Sequence, residues 1–328
     1  MKNILFASTA LVAFGGAAAA DVALSGRAEM GIFKNNAAFQ AAKGNPVTEV
    51  GAQFFTDIDV TFTMSGETDN GLTFGASVDL DEGGNQAATK NNSDDGGATI
   101  FISGGFGTVT MGDTDGALDW ALTDAGNVGN PGSLADDETT HAGYNGAYLD
   151  GGNDGQILRW DYTSGAFGVA VSLEDDNGSN AVNTGIGYAI GFKYALDLSG
   201  TTVNFGLGHQ RAADGAPGTA TDAKATGVSV SATFANGLAA GIEYTDMTNS
   251  VFDKHIGVGL GYTTGAFSIH ANYGKYDGVV AANDQKGYGL AAAYDLGGGA
   301  VVHFGYGSGK VGAGVSQKSM SLGLGLSF

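Results

Sequence analysis

The sequence predicts an all-β protein, a sixteen-stranded antiparallel transmembrane β-barrel with a long third loop folded into the lumen. Three observations carry this reading. Apolar and polar residues alternate with period two in run after run, as in VALSGRAEMGIF and DIDVTFTM. Short glycine-bearing turns alternate with longer polar links between those runs. Glycine supplies 58 of the 328 residues without a collagen period, far above the roughly 7% of ordinary globular chains.

The first residues stand apart from this rhythm. Lys2 precedes an apolar run from Ile4 to Phe14, and GGAAAA leads to Asp21. A charged start, an apolar stretch of about 7–15 residues and a small-residue end describe a secretory signal peptide. The run is too short for a spanning helix, which needs about 20 residues. Residues 1–20 are therefore expected to be removed after Ala20, leaving an exported barrel over residues 21–328.

From Asp21 onward, period two assigns strands. In the first run Val22, Leu24, Ala28, Met30 and Ile32 share a face, opposite Ser25, Arg27 and Glu29. In the next, Ile58, Val60, Phe62 and Met64 oppose Asp57, Asp59, Thr61 and Thr63. One hairpin then recurs: SGETDNGL, SGGFG, TSGAF, LDLSGTT, FANGL, TTGAF and LGGGA each join two alternating runs. Seven turns make fourteen strands, and the run from Val22 and the final KSMSLGLGLSF make sixteen. The links between hairpins, such as EGGNQAATKNNSDDGG and AADGAPGTATDAKAT, are longer and polar. Short turns at one end, long loops at the other and an even strand number mark an outer-membrane barrel.

The two strand faces sort cleanly. One phase carries Val169, Val171 and Leu173; Ile186, Tyr188, Ile190 and Phe192; Ile256, Val258, Leu260 and Tyr262; and Met320, Leu322, Leu324 and Leu326. No Lys, Arg, Asp or Glu is read in that phase inside any run, and a cation at mid-bilayer would cost about 2–4 kcal/mol. The opposite phase holds Arg27, Glu29, Asp57, Asp59, Asp79, Arg159, Asp161, Lys193 and Glu243, with Lys318 assigned to the same pore wall. A dry-cored sandwich would also keep its charges outside, so strand number and turn asymmetry decide. Many glycines, among them Gly187, Gly191, Gly257, Gly259, Gly287 and Gly289, share the water phase. Glycine weakens a strand, but here it clears the inner wall. Tyr162, Phe167, Tyr262 and Phe267 flank short turns, where aromatic rings form a headgroup girdle.

The candidate to fill that space is the segment from Asp113 to Asp154. Loops longer than about 12–15 residues are uncommon unless functional. No Lys or Arg occurs from Asn91 to Leu158, whereas the loop carries Asp113, Asp115, Asp119, Asp124, Asp136, Asp137, Glu138, Asp150 and Asp154. Leu118, Ala121 and Leu122 have helical spacing, so a short helix is expected to lie on the glycine wall. The whole chain has a net charge of −20, with 34 acids against 14 basic residues. Nucleic acid is excluded as a partner, because phosphate binding needs clustered cations. The absence of cysteine excludes thiolate metal sites and a cysteine nucleophile.

At ALSGRAEMGI, TFTMSGETDNGLTFGASVDL, FISGGFGTVTMGD, YTSGAFGVAVS and the terminal Phe328, the chain resembles the general diffusion porins of Gram-negative bacteria. The resemblance covers the whole mature chain and is nearest to porins of alphaproteobacteria, of the Rhodobacter type. It implies a sixteen-stranded homotrimer in the outer membrane whose third long loop narrows the pore. It also implies that loop acids face basic residues across the lumen. The acids match, but Asp57 and Asp59 stand where related porins carry arginines. Only Arg27, Arg159 and Lys318 remain, so a net negative potential is expected. Phe328 resembles the terminal signal read by the barrel-insertion machinery.

Blander readings stand beside these. The loop acids fit a solvated charge run, and Arg27 with Glu29 fits a local ion pair. Asp113 and Asp115 in DTDG, and Asp150 and Asp154 in DGGNDG, are spaced as calcium ligands, although neither stretch fits the twelve-residue calcium loop. Structural calcium is therefore an open candidate, and no cofactor is required. His141, His209, His255, His270 and His303 show no metal spacing. The expected function is passive diffusion of small hydrophilic solutes and ions, with a modest cation preference and no catalysis. The rivals are a substrate-specific channel, a structural or adhesive barrel, and a lipolytic barrel, which would need a paired Ser and His.

Overall fold

The computed structural model describes residues 21–34, 51–83, 97–134, 139, 141–144, 157–175, 186–212 and 222–328. Residues 1–20, expected to be removed, lie outside them. Sixteen strands follow Asp21: β1 (Asp21–Lys34), β2 (Gln53–Glu67), β3 (Thr73–Gly83), β4 (Ala98–Gly104), β5 (Gly107–Gly112), β6 (Ile157–Ser164), β7 (Phe167–Asp175) and β8 (Ile186–Asp197). The second half comprises β9 (Thr201–Ala212), β10 (Ala223–Phe234), β11 (Leu238–Thr248), β12 (Phe252–Thr264), β13 (Phe267–Gly278), β14 (Gln285–Gly297), β15 (Ala300–Val311) and β16 (Gln317–Ser327). Every strand pairs antiparallel with its neighbours, and β1 pairs with β16 to close the barrel. Closure satisfies the backbone donors and acceptors that lipid cannot.

The seven short turns fall where the alternation places them. In the repeated YTSGAF and YTTGAF hairpins, Gly165 and Gly265 each hold φ +59° at the first of two turn residues. Positive φ at that position alone is the type II′ pattern, whose twist matches paired strands. At the other end the last three links are short. Residues 249–251, 279–284 and 312–316 suffice for the last three connections. The asymmetry between long loops and short turns therefore belongs mainly to the first five hairpins.

The faces divide as alternation demands. Val171, Leu173, Ile190, Leu207, Val228, Ile242, Leu260, Ile269, Leu290 and Leu322 are exposed on the outer face. Tyr162, Phe167, Tyr194, Tyr262, Phe267 and Tyr294 ring its short-turn end. Tyr188, Tyr244, Tyr273, Tyr288 and Tyr306 stand towards the long-loop end on the same face. Paired girdles of this kind frame the apolar band of an outer-membrane barrel.

One expectation about this face is corrected. Strands continue past the apolar runs, and there the outward phase carries Lys224, Lys254, Lys275, Lys286, Lys310 and Lys318. Lys318 lies two residues before Met320 on β16 and is exposed with it. Period two thus puts Lys318 on the outer face, not on the pore wall.

Candidate pore constriction

After β5 the chain turns onto the glycine-bearing face. A short helix, α1 (Ala117–Ala121), packs against β7, β8 and β9, and a 3-10 turn (Ala125–Asn127) packs against β11, β12 and β13. Both elements are too short to hold themselves together. The wall supplies what they lack. Ser172 Oγ accepts the Ala117 N–H at 2.9 Å, and Ser229 Oγ accepts the Thr123 N–H at 2.9 Å. Leu118 is fully buried in a cluster with Ala170, Ala189 and Ala225. The expected helix and its buried face are both present.

Glycine makes this seat. A β-carbon on Gly191 would strike the Ala117 carbonyl, one on Gly208 the Leu118 side chain, and one on Gly259 the Ala125 carbonyl. Farther along, Leu134 packs over Gly31 and Gly323 beside Phe33 and Phe55. Thr139 then lies over Gly289, Ala142 over Gly309 and Gly143 over Gly274. The backbone approaches the wall at these positions because no side chain intervenes.

Histidines clasp the same segment. His255 Nε2 donates to the Gly143 carbonyl at 2.9 Å, and His303 Nδ1 donates to the Gly132 carbonyl at 3.1 Å. His141 Nε2 lies 2.8 Å from Asn272 Oδ1, which also accepts the Gly289 N–H at 3.0 Å. Burial pushes the His141 pKa below the ordinary histidine value. In the sequence these histidines show no metal spacing, and nothing in that spacing points to the loop. The usable signal was their phase: His255, His270 and His303 alternate with glycines on inner faces.

Inner charges occur on two parts of the wall: Lys193, Glu174 and Glu243 on β8, β7 and β11, which carry the loop, and a second group on β1 to β3. Arg27 stands opposite Asp59, and Glu29 opposite Asp57. Thr61 Oγ1 donates to Asp79 at 2.8 Å on the neighbouring strand. Arg27 pairs with Glu29, as the local-pair reading expected, and Glu29 is buried although it shares the water phase. Arg159 is engaged at the loop entry. Its guanidinium donates to Asp161 at 3.2 Å, Thr114 Oγ1 at 3.2 Å and the Asp115 carbonyl at 2.6 Å.

Of the loop acids, Asp113 sits against Gly97, Asp115 is exposed, and Asp119 and Asp124 are half-buried. Asp136, Asp137, Glu138, Asp150 and Asp154 lie outside the described residues. The calcium candidates are thus described only at Asp113 and Asp115. Among the described residues, no group of three His, Cys, Asp or Glu is placed to hold a metal.

A family model described as Gram-negative porin matches residues 7–314. The chain belongs to that family. This porin is 30% identical to the porin of Rhodobacter capsulatus over 312 residues, covering 86% of this chain and 92% of that protein. A porin structure refined at 1.8 Å resolution matches with TM-score 0.68 and 26% identity, over 94% of this chain and 100% of that one. A mutant of the Rh. blastica porin shares the fold at TM-score 0.65 and 18% identity, covering 94% of this chain and 100% of its own. The protein is an outer-membrane porin channel.

Proposed function

We propose that the porin passes small hydrophilic solutes and ions by passive diffusion, with a modest cation preference and no catalysis or cofactor. Residues 113–154 form the constriction in this reading. The observation that carries it is the seating of α1 and the 3-10 turn on glycines of β8, β9 and β12, away from β2 and β3, which carry Asp57, Asp59 and Asp79. Asp57, Asp59 and Asp79 then bound the opening, while Arg27 and Arg159 are each held by a carboxylate. Near such an opening, charges within a Debye length of about 8–10 Å act on passing ions. Low-dielectric walls concentrate their field.

The same reading makes the channel a homotrimer in the outer membrane, exported by a signal peptide cut after Ala20. Phe328 serves the insertion machinery, and Asp136, Asp137 and Glu138 add to the negative potential of the constriction. Single-channel recording in planar bilayers tests the proposal. Ohmic, ion-sized conductance with a reversal potential favouring potassium over chloride is expected. A closed barrel, or an anion-selective one, would overturn it.

A further inference from the structure

Three lysines stand directly opposite one another on the outer face. Lys275 on β13 pairs in register with Lys286 on β14, and Lys286 with Lys310 on β15. Lys318 on β16 sits one step lower, opposite Ser308, which is in turn opposite Tyr288. Ser308 belongs to the outward phase of β15 yet is only 6% exposed. It is the small floor of a niche bounded by Tyr288, Tyr306 and the lysines, the two tyrosine rings lying 6.1 Å apart.

This arrangement opposes the usual logic of a sheet. Like charges directly opposite destabilise a strand pair, and this chain has 34 acids from which to supply partners. Within the row, Lys275 pairs with Asp277, which also lies 3.7 Å from Lys254. Lys286, Lys310 and Lys318 form no ion pair among the described residues. Their depth identifies the missing anion. They lie immediately above the tyrosines, where aromatic rings mark the headgroup level and long cationic side chains reach the polar layer. The short links 279–284 and 312–316 span the strand ends directly above. An acidic protein surface would instead have to descend to the lipid boundary to reach them.

We propose that this lysine–tyrosine niche on β13–β16 binds the phosphate groups of an outer-leaflet lipid. The phosphates neutralise the lysine row, and the acyl chains continue down the apolar face below Tyr288 and Tyr306. About 1 kcal/mol per cation near an anionic membrane surface sets the scale.

The test uses the folded full-length barrel in neutral detergent, titrated with diphosphorylated lipid A and with its dephosphorylated form. Binding is read by native mass spectrometry. Wild type should prefer the phosphorylated lipid and lose that preference in high salt. The K286Q/K310Q/K318Q variant should bind it on the order of 100-fold more weakly, whereas K224Q/K254Q should change binding far less. Heat-modifiable mobility checks that each variant is folded. Equal binding of the two lipids, or equal binding by wild type and the triple variant, would overturn the proposal. So would a triple variant whose main effect is to shift the oligomeric state in neutral detergent, since the row would then face another protein copy.

Discussion

The ammonium nitrogen of Lys193 lies 3.4 Å from the centre of the Trp120 ring. Trp120 belongs to α1 and Lys193 to the inner wall on β8, so this stack ties the loop to the barrel. It also occupies one of the few inward-facing cations. Gly168 makes the room, because a β-carbon there would meet both side chains. A cation over tryptophan contributes about 0.5–2 kcal/mol, depending on solvation. Trp120→Ala should therefore free Lys193 towards the lumen, raise open-channel current noise and reduce cation preference. Recordings indistinguishable from wild type would show that the stack does not shape the pore.

The glycine seat gives a steric test. Gly259→Val would drive a side chain into the Ala125 carbonyl and lift the 3-10 turn off the wall. Unit conductance should fall while the barrel still folds. Conversely, deleting the central part of residues 113–154 should raise unit conductance. A folded deletion that conducts as wild type does would place the segment outside the ion path.

Charge neutralisation on the open wall tests selectivity. Asp57→Asn, Asp59→Asn and Asp79→Asn together remove three carboxylates near Arg27. The reversal potential in a potassium chloride gradient should move towards the non-selective value, most at low salt where screening is weakest. A companion variant neutralising Asp136, Asp137 and Glu138 should act in the same direction. If neither set changes the reversal potential, the field at the constriction has another source.

Acid should loosen the loop through His141. Its folded-state pKa is lowered by burial, so the native form favours the neutral ring. A base with a depressed folded pKa contributes stability above its unfolded value, about 6.5, and loses it as pH falls from there. Protonation would charge a buried ring, a cost that the Ala142 carbonyl and Asn272 Oδ1 beside its two nitrogens offset only in part. Gating noise should therefore increase as pH drops below about 6.5. His141→Asn should flatten that dependence; an unaltered pH profile in the variant would assign it to other groups.

The terminal residue tests closure. Phe328 donates its N–H to the Gly26 carbonyl at 2.8 Å, while its own carbonyl accepts the Gly26 N–H at 3.3 Å. Its side chain is 72% exposed. Deleting Phe328 should lower the yield of heat-modifiable barrel in the outer membrane through the loss of both the closing bonds and the exposed aromatic end. In refolding from denaturant into lipid, without cellular machinery, the loss should be smaller. Equal losses in the two settings would reduce Phe328 to a structural bridge.

Much was legible because strand alternation is local. Residues two apart in a strand face the same way whatever the rest of the chain does. Glycine turns such as Ser164–Gly165–Ala166–Phe167 carry their own geometry. Strand number, the two faces, the inner glycines and the buried side of α1 could therefore all be read from one chain. What only the tertiary structure decided depends on closure. Closure brings β12 to β16 beneath a loop that leaves β5, so the partners of Gly259, His255 and His303 lie more than a hundred residues away. It decided that Glu29 is covered, that Arg159 anchors the loop entry and that Lys275, Lys286 and Lys310 meet in one row. Alternation gives each side chain a face, but register and loop path choose its neighbours, and those are set by contacts distant in sequence.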